Sequence, residues 1–342
     1  MSIMRVSDEE CELCEYATLL ASKGLFLEAR AILDGLRLEY GVLSPEAQTL
    51  RAQILPEAGE GGLEASVAPR PGAEESDVPC PACGLPMVEH EQAFEKDWLL
   101  CPACSLLMAR TPPGLVRALD RGEAAGAMQP GHALVHRREY TFCRRFIDGM
   151  GLREVLNYGV GWSLVPEALR AQGVDAVGCD LWRPLIEQRK RELGEECFFH
   201  RDELPDRRFA LISAFEVFEH FTDPMKDVGV LVRHLAESGA IVGSTDFWHG
   251  GLLSAHPSRE PWYWKHGVHV TAWTWQSMRN IADRFNLGVR FFRGDFDEHS
   301  SKCFFVLFRG DAFAAYLDAL PKVLPEVYGM SLPLSVGVAQ GS

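Results

Sequence analysis

The chain has 342 residues, 47% of them hydrophobic and 24% charged, with a formal net charge of −14. That composition is ordinary for a globular protein of one or two domains. So acidic a chain is poorly suited to neutralising phosphates, which argues against non-specific nucleic-acid binding, and no stretch reaches the ~18 apolar residues of a membrane-spanning helix. The opening, MSIMRVSDEECELCEY, turns acidic at once and lacks the apolar run of a signal peptide, so a cytoplasmic location is the expectation. Ten cysteines in such a chain point to metal ligation or thiols rather than disulfides.

Residues 1–55 carry apolar residues at helical spacing, with a break at Gly24 and a stop at Gly41. They predict one tetratricopeptide-like helical hairpin, a docking element for the main domain or for a protein partner. Residues 56–78, rich in Gly, Pro, Ala and Glu, predict a flexible linker. A ribbon over 79–110 follows, in which Cys80, Cys83, Cys101 and Cys104 have the paired C-x-x-C spacing that sets four thiolates around a structural Zn²⁺. The third pair, Cys11 and Cys14, lies in a helical stretch and is read as helix packing.

From residue 132 a long amphipathic helix leads into alternating strands and helices: REVLNY, SLVPEALRAQG, VDAVGCD, PLIEQRKREL, CFFH, FALISAF, DPMKDVGVLVRHLAES, GAIVGST, then TWQSMRNIADRF, LGVRFFRG and SKCFFVLF. Apolar strands alternating with helices predict an α/β domain over 111–310, with a Rossmann-like, mainly parallel, doubly wound sheet. Residues 311–342 add a short helix and a tail. In such a sheet ligands sit beyond the carboxyl ends of the strands. There the first strand ends in NYGVGWS, whose Gly159 and Gly161 let the backbone approach a ligand, and the second ends in Asp180, placed to take ribose hydroxyls.

These stretches, VLNYGVGWSLVPEALRAQGVDAVGCD and FALISAFEVFEHFTDPMKDVGVLVRHLAESGAIVGST, resemble class I S-adenosylmethionine-dependent methyltransferases. The resemblance implies S-adenosylmethionine as cofactor, with Gly159, Gly161 and Asn157 at its methionine moiety, Asp180 at its ribose and Asp202 near its adenine. The chain departs from the family pattern at three positions: Asn157 replaces the acid that opens the glycine motif, Ser163 its third glycine, and Ala210 an acid of the fourth strand.

The apolar fourth strand runs straight into Glu216, Glu219 and His220, and carboxylates are costly to bury unpaired. Two carboxylates and an imidazole on one turn suit a divalent ion. The E-x-x-E-H motif is similar to that of metal-dependent small-RNA 2′-O- and ubiquinone-biosynthesis O-methyltransferases. That resemblance adds His269, four residues before Trp273-Thr274, with His266 as substitute, and implies a divalent ion at Glu216, Glu219, His220 and His269; that donor set suits Mg²⁺ or Mn²⁺, or a softer ion such as Fe²⁺ or Zn²⁺. A metal-free reading leaves His220 or His269 as general base. Trp248, Trp262, Trp264, Trp273 and Trp275 are expected to wall an acceptor pocket. The expected activity is methyl transfer to a hydroxyl of a sugar, glycan or other small hydroxylated metabolite. An RNA 2′-O-methyltransferase and a non-catalytic assembly protein on the same fold are the alternatives.

Overall fold

A computed structural model describes residues 73–110, 132–194, 196–248, 253, 262–265, 267–293 and 302–320. The expected N-terminal hairpin, Cys11 and Cys14, most of the linker, His266 and the tail beyond residue 320 lie outside them. The chain divides into two units. Met1–Ala68 with His249–Pro257 forms one, of which only Leu253 is described; Pro69–Trp248 with Ser258–Ser342 carries everything below.

The first elements are four short antiparallel strands, β1 (Glu75–Pro79), β2 (Pro86–Ala93), β3 (Lys96–Leu100) and β4 (Leu107–Ala109). The end of the expected linker is therefore strand. The two cysteine knuckles of this ribbon fold alike. Cys80 N–H donates to Leu85 O and Gly84 N–H to Cys80 O; Cys101 N–H donates to Leu106 O and Ser105 N–H to Cys101 O. Gly84 and Ser105, each following the second cysteine of its pair, both take positive φ (83° and 56°). Only the first knuckle has the residue suited to that conformation.

Next come α1 (His132–Met150), β5 (Glu154–Tyr158), α2 (Val165–Arg170), β6 (Asp175–Asp180), α3 (Arg183–Leu193), β7 (Phe198–His200), β8 (Phe209–Phe215), α4 (Pro224–Arg233) and β9 (Leu235–Asp246). The order ends with α5 (Trp262–Lys265), β10 (Thr271–Ala272), α6 (Trp275–Arg284), β11 (Gly288–Arg293), β12 (Lys302–Phe308) and α7 (Asp311–Asp318). Seven strands form one sheet in the order β11-β12-β9-β8-β5-β6-β7; β12 runs antiparallel to both neighbours and β9 through β7 are parallel. This is the expected doubly wound sheet. The chain walks outward from β5 to β7 and returns to β8 beside β5, so the switch point lies between the carboxyl ends of β5 and β8.

Alternate strand residues feed two cores. Val155, Leu211, Phe215, Val242 and Val306 pack with Phe142 and Phe146 of α1, Val165 of α2 and Phe313 and Leu317 of α7. The C-terminal helix thus belongs to the domain. Leu156, Ile212, Ile241 and Leu307 face the other way, into a core shared with Cys80, Met87, Leu99, Cys101, Cys104 and Leu106 of the ribbon. The ribbon is not the separate module its sequence suggests. β10, from the far end of the chain, extends its sheet by pairing Thr271 with Met108 and Ala272 with Leu107. A second correction concerns DPMKDVGVLVRHLAES: the helix stops at Arg233, and LAES opens β9. His234 leaves helical geometry, its carbonyl accepting Phe209 N–H, and Leu235 pairs with Phe209. Among the described residues, no helix is long and apolar enough to cross a membrane.

Candidate active site

The turn after β5 needs its glycines. Gly159 (φ 71°) lies so close to Val217 that a Cβ would stand 2.6 Å from its side chain. Gly161 (φ 48°) faces open space, where a Cβ would meet nothing nearer than 4.0 Å. Asp180, at the carboxyl end of β6, accepts Gly161 N–H on one oxygen and Trp182 N–H on the other, both at 2.9 Å. A carboxylate has about four acceptor sites, so Asp180 holds the loop with capacity left for ribose hydroxyls. Trp162 and Trp182, both half-buried, stand edge to face beside it with ring centroids 6.1 Å apart. Trp162 directly follows Gly161 and Trp182 lies two residues after Asp180, yet neither was singled out in the sequence. Asp202 sits on the 3₁₀ turn after β7 with an exposed carboxylate beside Arg201 and His200. Asn157 is buried at the end of β5.

The second set of residues follows β8. Glu219, His220 and His269 bring one ligand atom each within 4.8 Å of one another. Glu219 is fully buried on a 3₁₀ turn, where Tyr263 donates its hydroxyl to Oε1 at 2.8 Å. His220 donates Nδ1–H to the Val268 carbonyl (3.0 Å), which leaves Nε2 as the unprotonated nitrogen of the neutral ring. The His269 segment is zipped onto the same turn: Val270 N–H donates to Glu219 O, Thr271 Oγ1 to Phe221 O and Trp273 Nε1 to Phe218 O. The donor set, one carboxylate and two imidazoles, fits a divalent ion. Glu216 is not in the three-residue cluster. It stands first in the turn with φ 54° and accepts the Ser244 hydroxyl at 2.6 Å. A non-glycine residue there is strained, which marks the position as held by its surroundings. Burial, then the charges of Glu219, Glu216 and Asp246, push the Tyr263 hydroxyl well above the usual phenol range. Asp246, at the end of β9, and Tyr263 are site residues that sequence reading missed. Tyr263 sat in the stretch singled out for its tryptophans.

Those tryptophans are corrected. Trp248, Trp264 and Trp273 are buried in the core, Trp248 against His90 and Trp264 against Trp98 of the ribbon, while Trp275 stacks on Phe291. The Trp262 side chain and His266 lie outside the described residues.

The four ribbon cysteines also converge, with their sulfurs within 4.8 Å and with Cys80–Cys104 and Cys83–Cys101 at 3.5 and 3.3 Å. A zinc tetrahedron with Zn–S near 2.3 Å has edges of about 3.8 Å, so the cluster fits that ion. Hydrogen bonds from Cys104 and Cys80 hold the Cys101 thiol below the usual thiol range, and the Cys101 interaction pushes Cys80 above it. One thiolate is favoured among close partners that resist ionising, a tension that a cation relieves.

Residues 128–290, just under half of the chain, match the profile of a family described as Methyltransferase domain. Over those residues the chain carries a methyltransferase domain. No curated protein matches it. Among solved structures it is similar to a chain of the Haloferax volcanii complex between the Trm112 methyltransferase activator and a methyltransferase (15% identity, 58% of this chain and 98% of that one, TM-score 0.40). It is also similar to the methyltransferase domain of bacterial CtHen1-C (14%, 52% and 99%, 0.37). A third is magnesium protoporphyrin IX methyltransferase from Synechocystis PCC 6803 with bound SAH (11%, 56% and 93%, 0.40). Likenesses this distant carry no substrate assignment.

Proposed function

We propose that the chain transfers a methyl group from S-adenosylmethionine to a hydroxyl of a sugar, glycan or other small hydroxylated metabolite. A divalent ion, Mg²⁺ or Mn²⁺, would be held by Glu219, His220 and His269. The observation that carries this reading is the convergence of those three side chains on the turn whose Val217 packs against Gly159 of the glycine loop. S-Adenosylmethionine when bound supplies a methyl group already activated on sulfonium, and the ion when bound lowers the pKa of a ligated hydroxyl.

The protein's own part is to bind and position. Asp180 takes the ribose hydroxyls, Gly159 and Gly161 admit the methionine end beside Asn157, and Trp162, Trp182 and Asp202 border the adenosine. Tyr263 holds the Glu219 carboxylate, and the Val268 carbonyl orients His220. Glu216 and Asp246 add negative charge that favours a cation. The acidic chain favours a vicinal diol of a small molecule over RNA. The four cysteines carry a structural zinc, and the N-terminal helices serve a protein partner.

Glu219→Gln keeps the shape and removes the charge. It should cost at least about a hundredfold in turnover and abolish stimulation by Mn²⁺, leaving S-adenosylmethionine affinity and zinc content unchanged. Glu216→Gln should cost no more than about tenfold, since Glu216 supplies field rather than a ligand atom. An active, metal-indifferent Glu219→Gln enzyme would eliminate the ion and leave His220 or His269 as a plain base. Methylation of RNA 2′-hydroxyls in preference to a panel of glycans and catechols would replace the acceptor class.

A further inference from the structure

The two glycine-motif positions where the chain departs from the family pattern meet at one side chain. Glu139 of α1 is buried, takes the Asn157 Nδ2–H on Oε1 at 2.9 Å and takes the Ser163 hydroxyl on Oε2 at 3.2 Å. Asn157 is the penultimate residue of β5, just before the glycine loop, and Ser163 lies two residues before the start of α2, where its Oγ also accepts Val165 N–H. The carboxylate is therefore tied to both ends of the loop. Among the described residues, no arginine, lysine or histidine pairs with Glu139.

A buried carboxylate of this kind needs a reason to be ionised. Burial pushes Glu139 up to about 7, against the pull of Ser213, Ser163 and Asn157. A cation bound at the loop would supply what the protein lacks.

We propose that Glu139 provides, from helix α1, the negative charge that the strand-end acid provides in the related enzymes, and so recognises the ammonium of the cofactor's methionine moiety through the Asn157–Ser163 frame. The inference rests on the S-adenosylmethionine reading of the loop. Asn157 and Ser163 then stop being losses. An acid at 157 would stand within hydrogen-bond distance of Glu139 and repel it, whereas an amide and a hydroxyl both donate to it. A unit charge acting on a nearby cation across an effective dielectric near 20 is worth roughly ten- to hundredfold in affinity.

The test is calorimetry with two probes, S-adenosylhomocysteine, which carries the ammonium, and 5′-methylthioadenosine, which lacks it. Glu139→Gln should weaken the first about ten- to hundredfold and change the second less than about twofold. The double variant Glu139→Gln/Asn157→Asp, which moves the carboxylate back to the strand, should recover most of the loss. A packing role would weaken both probes equally and would not be rescued, and either result overturns the proposal, as does an unchanged affinity for S-adenosylhomocysteine. If Glu139→Gln fails to fold, Asn157→Asp alone decides. It should weaken the ammonium-bearing probe through repulsion or leave it level, and a gain of tenfold or more would show that no charge was already present. Wild-type protein that binds neither probe would remove the cofactor reading, and this inference with it.

Discussion

Glu139 shows what a single residue can hide from the sequence. Its pattern position, inside HALVHRREYTFCRRFIDGM, reads only as helix, and eighteen residues separate it from Asn157. Motif reading sees the glycine turn and registers a missing acid; the compensating charge arrives through tertiary packing. The same residue should be visible in stability. Its folded pKa, about 7, lies above the ordinary 4.5. Between those values the folded state binds more protons than the unfolded one, so this group's contribution to stability is fully present below about pH 4.5 and is lost as pH rises through 7. The change is of order 3 kcal/mol. Glu139→Gln, neutral throughout, should lack it: cofactor-free variant and wild type should melt alike near pH 5, and the variant should melt higher at pH 8. Parallel melting curves across that range would show that Glu139 is not buried in its charged form.

At the scale of elements, the central sheet was legible because buried parallel strands are short apolar runs with helices between them, and β5 through β8 fall where those runs lie. Long-range pairing was not. β10 is two residues long, and nothing local marks Thr271–Ala272 as the last strand of a sheet that starts near residue 75. Glu219 and His220 were legible as residue types at a spacing and His269 only through the family resemblance, whereas Glu216, whose backbone enters the left-handed region, accepts the Ser244 hydroxyl and stands outside the cluster. What holds the His269 segment comes from the ribbon. Lys96 of β3, buried, donates Nζ to the carbonyls of Trp264 (3.0 Å) and His269 (2.7 Å), and Thr274 Oγ1 donates to Cys104 O. Lys96→Met keeps the stem and removes both donors. Hydrogen bonds from charged donors are worth about 1.5–3 kcal/mol each, partly offset here by relief from burying an ammonium, so a net loss of about 1–3 kcal/mol is expected. Turnover should fall about tenfold or more with zinc content and cofactor affinity intact, as steady-state kinetics and elemental analysis would show. Full activity in that variant would mean that the ribbon does not position His269.

Over the whole described molecule, the ribbon shares one of the two hydrophobic cores of the methyltransferase sheet. Cys101 and Cys104 are as buried in it as Phe218 and Trp273, and the ribbon sheet is completed by β10 from the methyltransferase side. Two modules joined by a linker would unfold separately; elements sharing a core unfold together. Structural zinc sites contribute about 10–16 kcal/mol on binding, against about 5–15 kcal/mol for the stability of a whole domain. Loss of the ion should therefore unfold the sheet as well as the ribbon. Purified protein should contain about one zinc per chain. Cys101→Ser, or chelation, should remove it and lower the melting of the entire domain, with tryptophan fluorescence and far-UV circular dichroism falling in one coincident transition. Both probes are needed, because Trp98 reports the ribbon and Trp273 the shared core, while the backbone signal reports the sheet and helices. A zinc-free variant whose sheet melts at the wild-type temperature would separate the two parts and return the ribbon to the status of an appended module.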